Sequence, residues 1–362
     1  MAYHLAKNDK SASAYAEKKL YLSFVICKLS IHFKSNQQNM EQDIEKQYVI
    51  GLDMGGTNSV FGLVDQRGTI KTQVVVATKS YPDINDFVNA SVEALQPALE
   101  MVGGIENVRG LGIGAPNANY YSGCIENAAN LAWRGVVPIA ELFSKALGVP
   151  TAVTNDANAA AMGEMTYGVA RGMKNFIMIT LGTGVGSGIV VNGDVVYGSD
   201  GFAGELGHVI IDYSPEARPC GCGRKGCLET YCSATGVART ARYLLATTDR
   251  PSLLRELDPE KITSFDIYQA AEKGDEIAIE IFNFTGDILG KACANFATFN
   301  TPEAFVFFGG LTKAGDYLMK PLREAYDKYI LKSFHNNARL LISSLNGSEA
   351  AVLGASALGW NA

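Results

Sequence analysis

From Tyr48 onward the apolar positions fall into blocks of strand or helix length. Residues 48–52 are apolar and end at Asp53, a turn Met54-Gly55-Gly56-Thr57-Asn58 follows, and residues 59–64 alternate again, which predicts a β-hairpin. A second turn, Asp65-Gln66-Arg67-Gly68, leads to a third strand over 70–77, so three antiparallel strands are expected to open the fold. Residues 82–100 carry apolar side chains at Ile84, Phe87, Val88, Val92, Leu95 and Leu99, a helical period expected to start at Asp83. A strand over 108–113, the loop Gly114-Ala115-Pro116-Asn117, a polar stretch and a helix over 139–147 come next. A strand over 150–154 then closes at Asn155-Asp156-Ala157-Asn158, which opens an alanine-rich helix running through 163.

The hairpin pattern recurs in the second half. Residues 176–181 read as a strand, Gly182-Thr183-Gly184-Val185-Gly186-Ser187-Gly188 as a glycine-rich turn, and 189–191 as its return strand. An internal duplication is the simplest reading, each half opening on strand, Gly/Thr turn and strand. Helices are expected over 234–245, 264–271 and 276–295, a strand over 303–308, a turn at Gly309-Gly310, a helix over 317–332, a strand over 339–343 and a last helix over 349–358. Strands alternating with helices predict an α/β protein.

With 362 residues, 47% hydrophobic and 19% charged, the chain has enough material for two domains with their own cores. A net charge of −6 argues against a general nucleic-acid binder, and no apolar run is long enough to span a membrane. Seven cysteines, four of them (Cys27, Cys124, Cys232, Cys293) scattered in apolar or helical surroundings, suit a reduced cytoplasmic protein better than a disulfide scaffold. Residues 1–39 are rich in lysine and share none of the later patterning, so residues 1–47 read as an extension, disordered or an upstream-start artefact, with Met40 as the expected natural start.

The chemistry concentrates between Gly204 and Glu229. His208, Cys220, Cys222 and Cys227 offer one imidazole and three thiolates, separated by Pro219, Gly221, Gly223 and Gly226. Zinc takes four nitrogen or sulfur donors in a tetrahedron, and glycines between cysteines let the backbone aim several sulfurs at one point. Four protein ligands leave no place for water, so a structural Zn²⁺ is expected, with Cys232 as a possible substitute ligand. Glu205 and Glu229 flank this loop; fixed by the metal, they are suited to accept hydrogen bonds from the hydroxyls of a polyol, the alternative being two solvated glutamates.

Two hairpin turns of glycine and threonine suit a nucleotide's phosphates, because backbone N–H groups in such turns form an anion nest. Neither is followed by the Gly-Lys-Ser/Thr of a Walker loop, and neither opens a helix. Gly309 and Gly310 add a third glycine pair after a strand. Asp156, beside Asn155 among small apolar residues, reads either as the cap of the next helix or as a general base toward a substrate hydroxyl.

Taken in order, Asp53-x-Gly-Gly-Thr57, Asn155-Asp156, Leu181-Gly-Thr-Gly-x-Gly, Gly204-Glu-x-Gly-His208 and Cys220-x-Cys-Gly-x-x-Gly-Cys227-x-Glu229 resemble the ROK family of sugar kinases and repressors. The resemblance covers about residues 48–358, and the metal segment is its most specific part. It implies the two-lobed fold of hexokinases and actin, with a small lobe over 48–155 joined by a C-terminal helix at about 345–362, and a large lobe over 156–344 carrying the zinc loop. It implies Asp156 as the base toward the sugar 6-hydroxyl, and Asn130, Asn155, Glu205, His208 and Glu229 as the sugar's partners. His208 would serve both sugar and zinc. Asp53 resembles the residue that holds Mg²⁺ through water. Gly55, Gly56, Thr57 and Asn58, with Gly182, Thr183, Gly184 and Gly186, resemble the ATP phosphate loops, and Gly309 and Gly310 the adenosine-side turn. A homodimer is implied as well.

Glucose is the first choice of substrate; fructose, mannose, N-acetylmannosamine and N-acetylglucosamine meet the same carboxylates, and polyphosphate is an alternative donor to ATP. A family repressor would need a helix-turn-helix of roughly seventy residues ahead of the first strand. Residues 1–47 are too few for it and show no pair of helices joined by a glycine turn. A sugar-binding protein without chemistry would have no need of the phosphate turns.

Overall fold

The structure, a computed structural model, describes residues 46–128, 130–334, 338–345 and 347–362. The expected extension and start site at Met40 lie outside the described residues, apart from Lys46 and Gln47. Two five-stranded mixed sheets form the frame. In the first, β1 (Tyr48–Met54), β2 (Ser59–Asp65) and β3 (Ile70–Val76) are antiparallel, and β4 (Val108–Gly114) and β8 (Thr151–Thr154) add in parallel beside β1, in the order β3-β2-β1-β4-β8. In the second, β9 (Phe176–Leu181), β10 (Val185–Val191) and β11 (Asp194–Val195) repeat the antiparallel meander, with β12 (Ala304–Phe308) and β13 (Arg339–Ile342) parallel beside β9. The two sheets share strand order and direction, so the recurrence legible in the sequence is a recurrence of topology.

The first sheet packs one face on α1 (Ile84–Glu100) and α2 (Ile139–Leu147). Asp83 caps α1 by accepting from Asn85 N, and Phe87, Trp133 and Phe143 fill the core beneath, the Phe87 and Trp133 ring centroids 4.9 Å apart. The opposite face takes α9 (Gly347–Gly359) at backbone contact. A Cβ on Gly51 would lie 2.2 Å from the Val352 carbonyl, and one on Gly112 1.9 Å from that of Ala355, so only glycine lets the helix sit that low on the sheet. On the second sheet, one face meets α3 (Asp156–Tyr167), whose alanines lie against Phe176, Met178 and Val306. The other carries α4 (Glu229–Cys232), α5 (Ala234–Thr247), α6 (Ser264–Glu272), α7 (Glu276–Asn300) and α8 (Asp316–Tyr329) over a large apolar core.

Three expectations change. The glycine-rich turn is shorter than expected: β10 begins at Val185, so Val185, Gly186, Ser187 and Gly188 are strand, paired with Leu181 to Met178. Helix α7 continues to Asn300, where Thr301 in the left-handed conformation ends it, and α8 stops at Tyr329 rather than 332. The polar stretch after β4 is a small sheet of its own, β5 (Ala118–Asn119), β6 (Cys124–Glu126) and β7 (Val136–Val137). Strands of two or three residues are too short to show a period.

Candidate active site

Parallel strands place their carboxyl ends side by side, and ligands of open α/β sheets gather there. In the first sheet Asp53, Gly114 and Thr154 are in register at the ends of β1, β4 and β8. In the second, Thr180 and Phe308 are in register at the ends of β9 and β12. The segments that leave these ends line one cavity of about 580 Å³, a volume suited to a small polar ligand. Its wall includes Asn117, Asn155 and Asp156 from the first set, and Thr180, Gly182, Thr183 and Gly309 from the second.

At the end of β8 two adjacent residues divide the work. Asn155 is extended (φ −67°, ψ 161°) and its Oδ1 accepts from Asn158 N at 2.7 Å, so Asn155 is the cap of α3. Asp156 is the first helical residue, is exposed to the cavity, and accepts from Ala157 N at 2.8 Å. The capping alternative for Asp156 is therefore overturned. Both stand at a helix N-terminus, where the positive end of the backbone dipole favours anions. Asp53 lies near enough to feel that carboxylate: burial first, and then the Asp156 charge, push Asp53 up to about 6.

The loop after β11 carries Glu205 and His208. Ser187, in mid-β10, donates its hydroxyl to the Gly204 carbonyl and accepts from Leu206 N at 3.0 Å, fixing the backbone on both sides of Glu205. From the small sheet, Asn119 Nδ2 donates to the Asp200 carbonyl at 2.7 Å and Tyr121 to the Gly198 carbonyl at 2.9 Å, while the Tyr120 and Tyr197 rings stack at 4.1 Å. Burial raises Glu205 above the ordinary carboxylate range; His208 opposes this, and the charges of Asp156 and Glu229 reinforce it.

His208, Cys220, Cys222 and Cys227 converge, their ligand atoms all within 4.8 Å of one another. Cys220 Sγ is 3.6 Å from His208 Nδ1, and Cys222 Sγ is 3.6 Å from Cys227 Sγ. A tetrahedral zinc with Zn–S of about 2.3 Å and Zn–N of about 2.0–2.1 Å has ligand–ligand edges of roughly 3.5–3.8 Å, so this donor set fits one. Since Nδ1 faces the sulfurs, Nε2 is the nitrogen left for the cavity, which His208 also lines. Cys232, the alternative ligand, is instead buried in the helical core with its thiol toward the Thr285 carbonyl at 3.7 Å. The loop is anchored by Arg218. Its guanidinium donates to the carbonyls of Thr230 and Gly236 and to Thr240 Oγ1 at 2.9–3.2 Å, and lies 4.4 Å over the Tyr231 ring.

Thus Asn130, Asn155, Asp156, Gly182, Thr183, Gly184, Gly186, Glu205, His208, Glu229 and Gly309 share the cavity wall. Gly55, Thr57, Asn58 and Gly310 are not in it, and neither is Gly56, whose backbone packs against the Asn130 carbonyl. Gly186 belongs to β10 rather than to a turn; a Cβ there would meet Thr180 Oγ1 at 2.6 Å and Ala157 at 3.1 Å, so it is needed for close packing of α3 on the sheet. Ser187, inside the glycine-rich run expected as a turn, and Asn119, in a stretch without periodicity, carry no mark of these contacts in the sequence.

Comparison with known proteins agrees with this architecture. Residues 49–361 match the ROK family. The glucokinase of Halalkalibacterium halodurans is 36% identical over 318 residues, covering 87% of this chain and 94% of that protein. The ROK family glucokinase from Streptomyces griseus, solved in complex with glucose and AMPPNP, is 32% identical with a TM-score of 0.70 over 87% of this chain and 100% of its own. A putative xylose repressor of Caldicellulosiruptor sp. is 26% identical over 97% of this chain and 88% of its own length. With the fold, the paired sheets and the ordered motifs all accounted for by one family, the chain belongs to the ROK family.

Proposed function

We propose that the chain is a sugar kinase that transfers the γ-phosphoryl group of ATP to the 6-hydroxyl of a hexose, glucose before the others. The observation that carries this reading is the placement of Asp156. Its neighbour Asn155 caps α3, and its carboxylate faces a cavity walled by Glu205, His208 and Glu229 and by the Gly182-Thr183-Gly184 turn. A carboxylate that is not the helix cap and is exposed beside acceptors for hydroxyls and a nest for phosphates is suited to take a proton from the acceptor hydroxyl.

Phosphoryl transfer asks for in-line placement and charge neutralisation more than covalent help. Asn130, Asn155, Glu205, His208 and Glu229 would hold the sugar hydroxyls, and Asp156 would orient the 6-hydroxyl and receive its proton as the new O–P bond forms and the bond from the γ-phosphorus to the bridging oxygen breaks, releasing ADP. Backbone N–H groups of the Gly182–Gly184 turn, with the Gly55–Asn58 turn, would bind the phosphates, and Gly309 and Gly310 the adenosine side. Asp53 would hold Mg²⁺, which when bound with the nucleotide neutralises charge on the transferred group. His208, Cys220, Cys222 and Cys227 would hold a structural zinc whose contribution is to fix Glu205 and Glu229 in place.

A small lobe of residues 48–155 with the C-terminal helix at 345–362, and a large lobe of residues 156–344, would close on the sugar and exclude water. We further propose a cytoplasmic homodimer.

The test is coupled ADP production from Mg-ATP with a panel of hexoses and N-acetylhexosamines. Preferential turnover of glucose supports the reading. Sugar binding without turnover on any member, with ATP or polyphosphate, refutes it in favour of a sugar-responsive regulator, the function named for the repressor relative.

A further inference from the structure

Every carbonyl of the Gly182-Thr183-Gly184 turn accepts a hydrogen bond. Gly184 O accepts from Gly182 N at 3.1 Å within the turn, Gly182 O accepts from Ala234 N at 2.9 Å, and Thr183 O accepts from Thr235 Oγ1 at 2.8 Å. The next N–H along, that of Val185, donates to Glu229 Oε2 at 3.0 Å. These bonds leave the N–H groups of Thr183 and Gly184 uncommitted by them, on the segment that lines the cavity. The three anchors from outside the turn all come from one short piece of chain, residues 229–235, which begins two residues after Cys227, a member of the Cys/His cluster.

Among these anchors Glu229 differs in also lining the cavity. It touches the turn at van der Waals limits as well: a Cβ placed on Gly184 would lie 2.3 Å from Glu229 Oε2. Its other oxygen, Oε1, is 3.8 Å from Cys220 Sγ. One carboxylate therefore meets the phosphate turn with one oxygen and the metal loop with the other.

We propose that Glu229 is a positioning residue for the phosphate turn in addition to a ligand of the sugar, so that hexose and nucleotide affinities are coupled through this single side chain. The inference rests on the kinase reading above. Because one carboxylate serves both sites, displacing it from the side of the turn is expected to disturb hexose binding, and removing it is expected to weaken nucleotide binding even with no sugar present.

Calorimetric titration of the full chain with Mg-ADP, without sugar, tests the first half. Glu229→Ala is expected to weaken Mg-ADP by about tenfold, the scale of a lost charge-assisted hydrogen bond. Glu229→Gln keeps an oxygen for the Val185 N–H and is expected to stay within about threefold of wild type. Titration of Gly184→Ala with glucose, without nucleotide, tests the second half: the added methyl must push the carboxylate aside, and glucose affinity is expected to fall by about tenfold. Wild-type Mg-ADP affinity in Glu229→Ala, or wild-type glucose affinity in Gly184→Ala, overturns the coupling and leaves the kinase reading standing. Failure of the wild-type protein to bind Mg-ADP at all removes the kinase reading, and the coupling with it.

Discussion

Replacing Asp156 by asparagine separates the two duties that a residue at this position can have. As a general base it is worth about 10²–10⁴ in turnover. As a structural residue it is worth little, because Asn155 supplies the cap of α3 and an asparagine can still accept from Ala157 N. What is lost structurally is one negative charge at the helix N-terminus, about 0.3–1 kcal/mol, partly offset by relief of the repulsion that raises Asp53. Asp156→Asn is therefore expected to keep its stability within about 1 kcal/mol and its hexose affinity within a few-fold, while kcat falls by at least about a hundredfold. The assays are coupled ADP release, calorimetric sugar titration and urea denaturation. Asn155→Ala is the counterpart, expected to lose about 0.5–2 kcal/mol of stability through the missing cap. A third readout is NMR titration of Asp53, whose pKa of about 6 should fall once the neighbouring charge is gone. Turnover of Asp156→Asn within tenfold of wild type, in a folded protein, would refute the assignment of the base.

Other outcomes follow from the same geometry. Because Asp53 has its pKa raised in the fold, the folded state holds that proton more tightly than the unfolded chain, so its stabilising contribution is present below about pH 4 and is lost as pH rises through about 6. Asp53→Asn should accordingly be more stable than wild type at pH 8 without Mg²⁺, by about 2–3 kcal/mol, and by roughly half of that at pH 5; an equal difference at both pH values in urea titrations contradicts the burial argument. Cys222→Ala should bind less than one zinc per chain by atomic absorption and bind glucose at least about tenfold more weakly, whereas a zinc-free protein with unchanged glucose affinity would separate the metal from the pocket. Arg218→Lys loses the fork that reaches two carbonyls and a hydroxyl, and should cost about 2–3 kcal/mol in urea denaturation; a change below about 0.5 kcal/mol would show that the loop is anchored by other contacts.

The strands that the pattern along the chain betrays are those of four residues or more. The hairpin around Met54–Asn58, the α1 stripe from Ile84 to Leu99 and the cysteine spacing were all legible, since each follows from local chemistry. What was not legible depends on contacts far along the chain. Ser187 matters because Gly204 folds back over it, and a serine between two glycines carries no mark of that. The β5–β6–β7 sheet is held by Asn119 and Tyr121 reaching backbone carbonyls of Asp200 and Gly198, a pairing with no sequence period. Asn155 and Asp156 could be told apart only once the backbone showed which of them caps the helix.

The glycine-floored seat of α9 bears on the order in which the chain can fold. Val352 and Ala355 close over Gly51 and Gly112, partners separated by roughly 240–300 residues, which places a long-range contact at the centre of the first sheet. During synthesis, strands β1, β2 and β4 emerge early and remain bare on that face until residues 347–359 have left the ribosome. A bare sheet with glycines along its middle exposes backbone that neighbouring strands or chaperones can engage. Completion of the first sheet is thus tied to residues translated roughly 240–300 positions after its central strands, and shortening α9 should reveal itself as aggregation of nascent chains before it shows as lost activity.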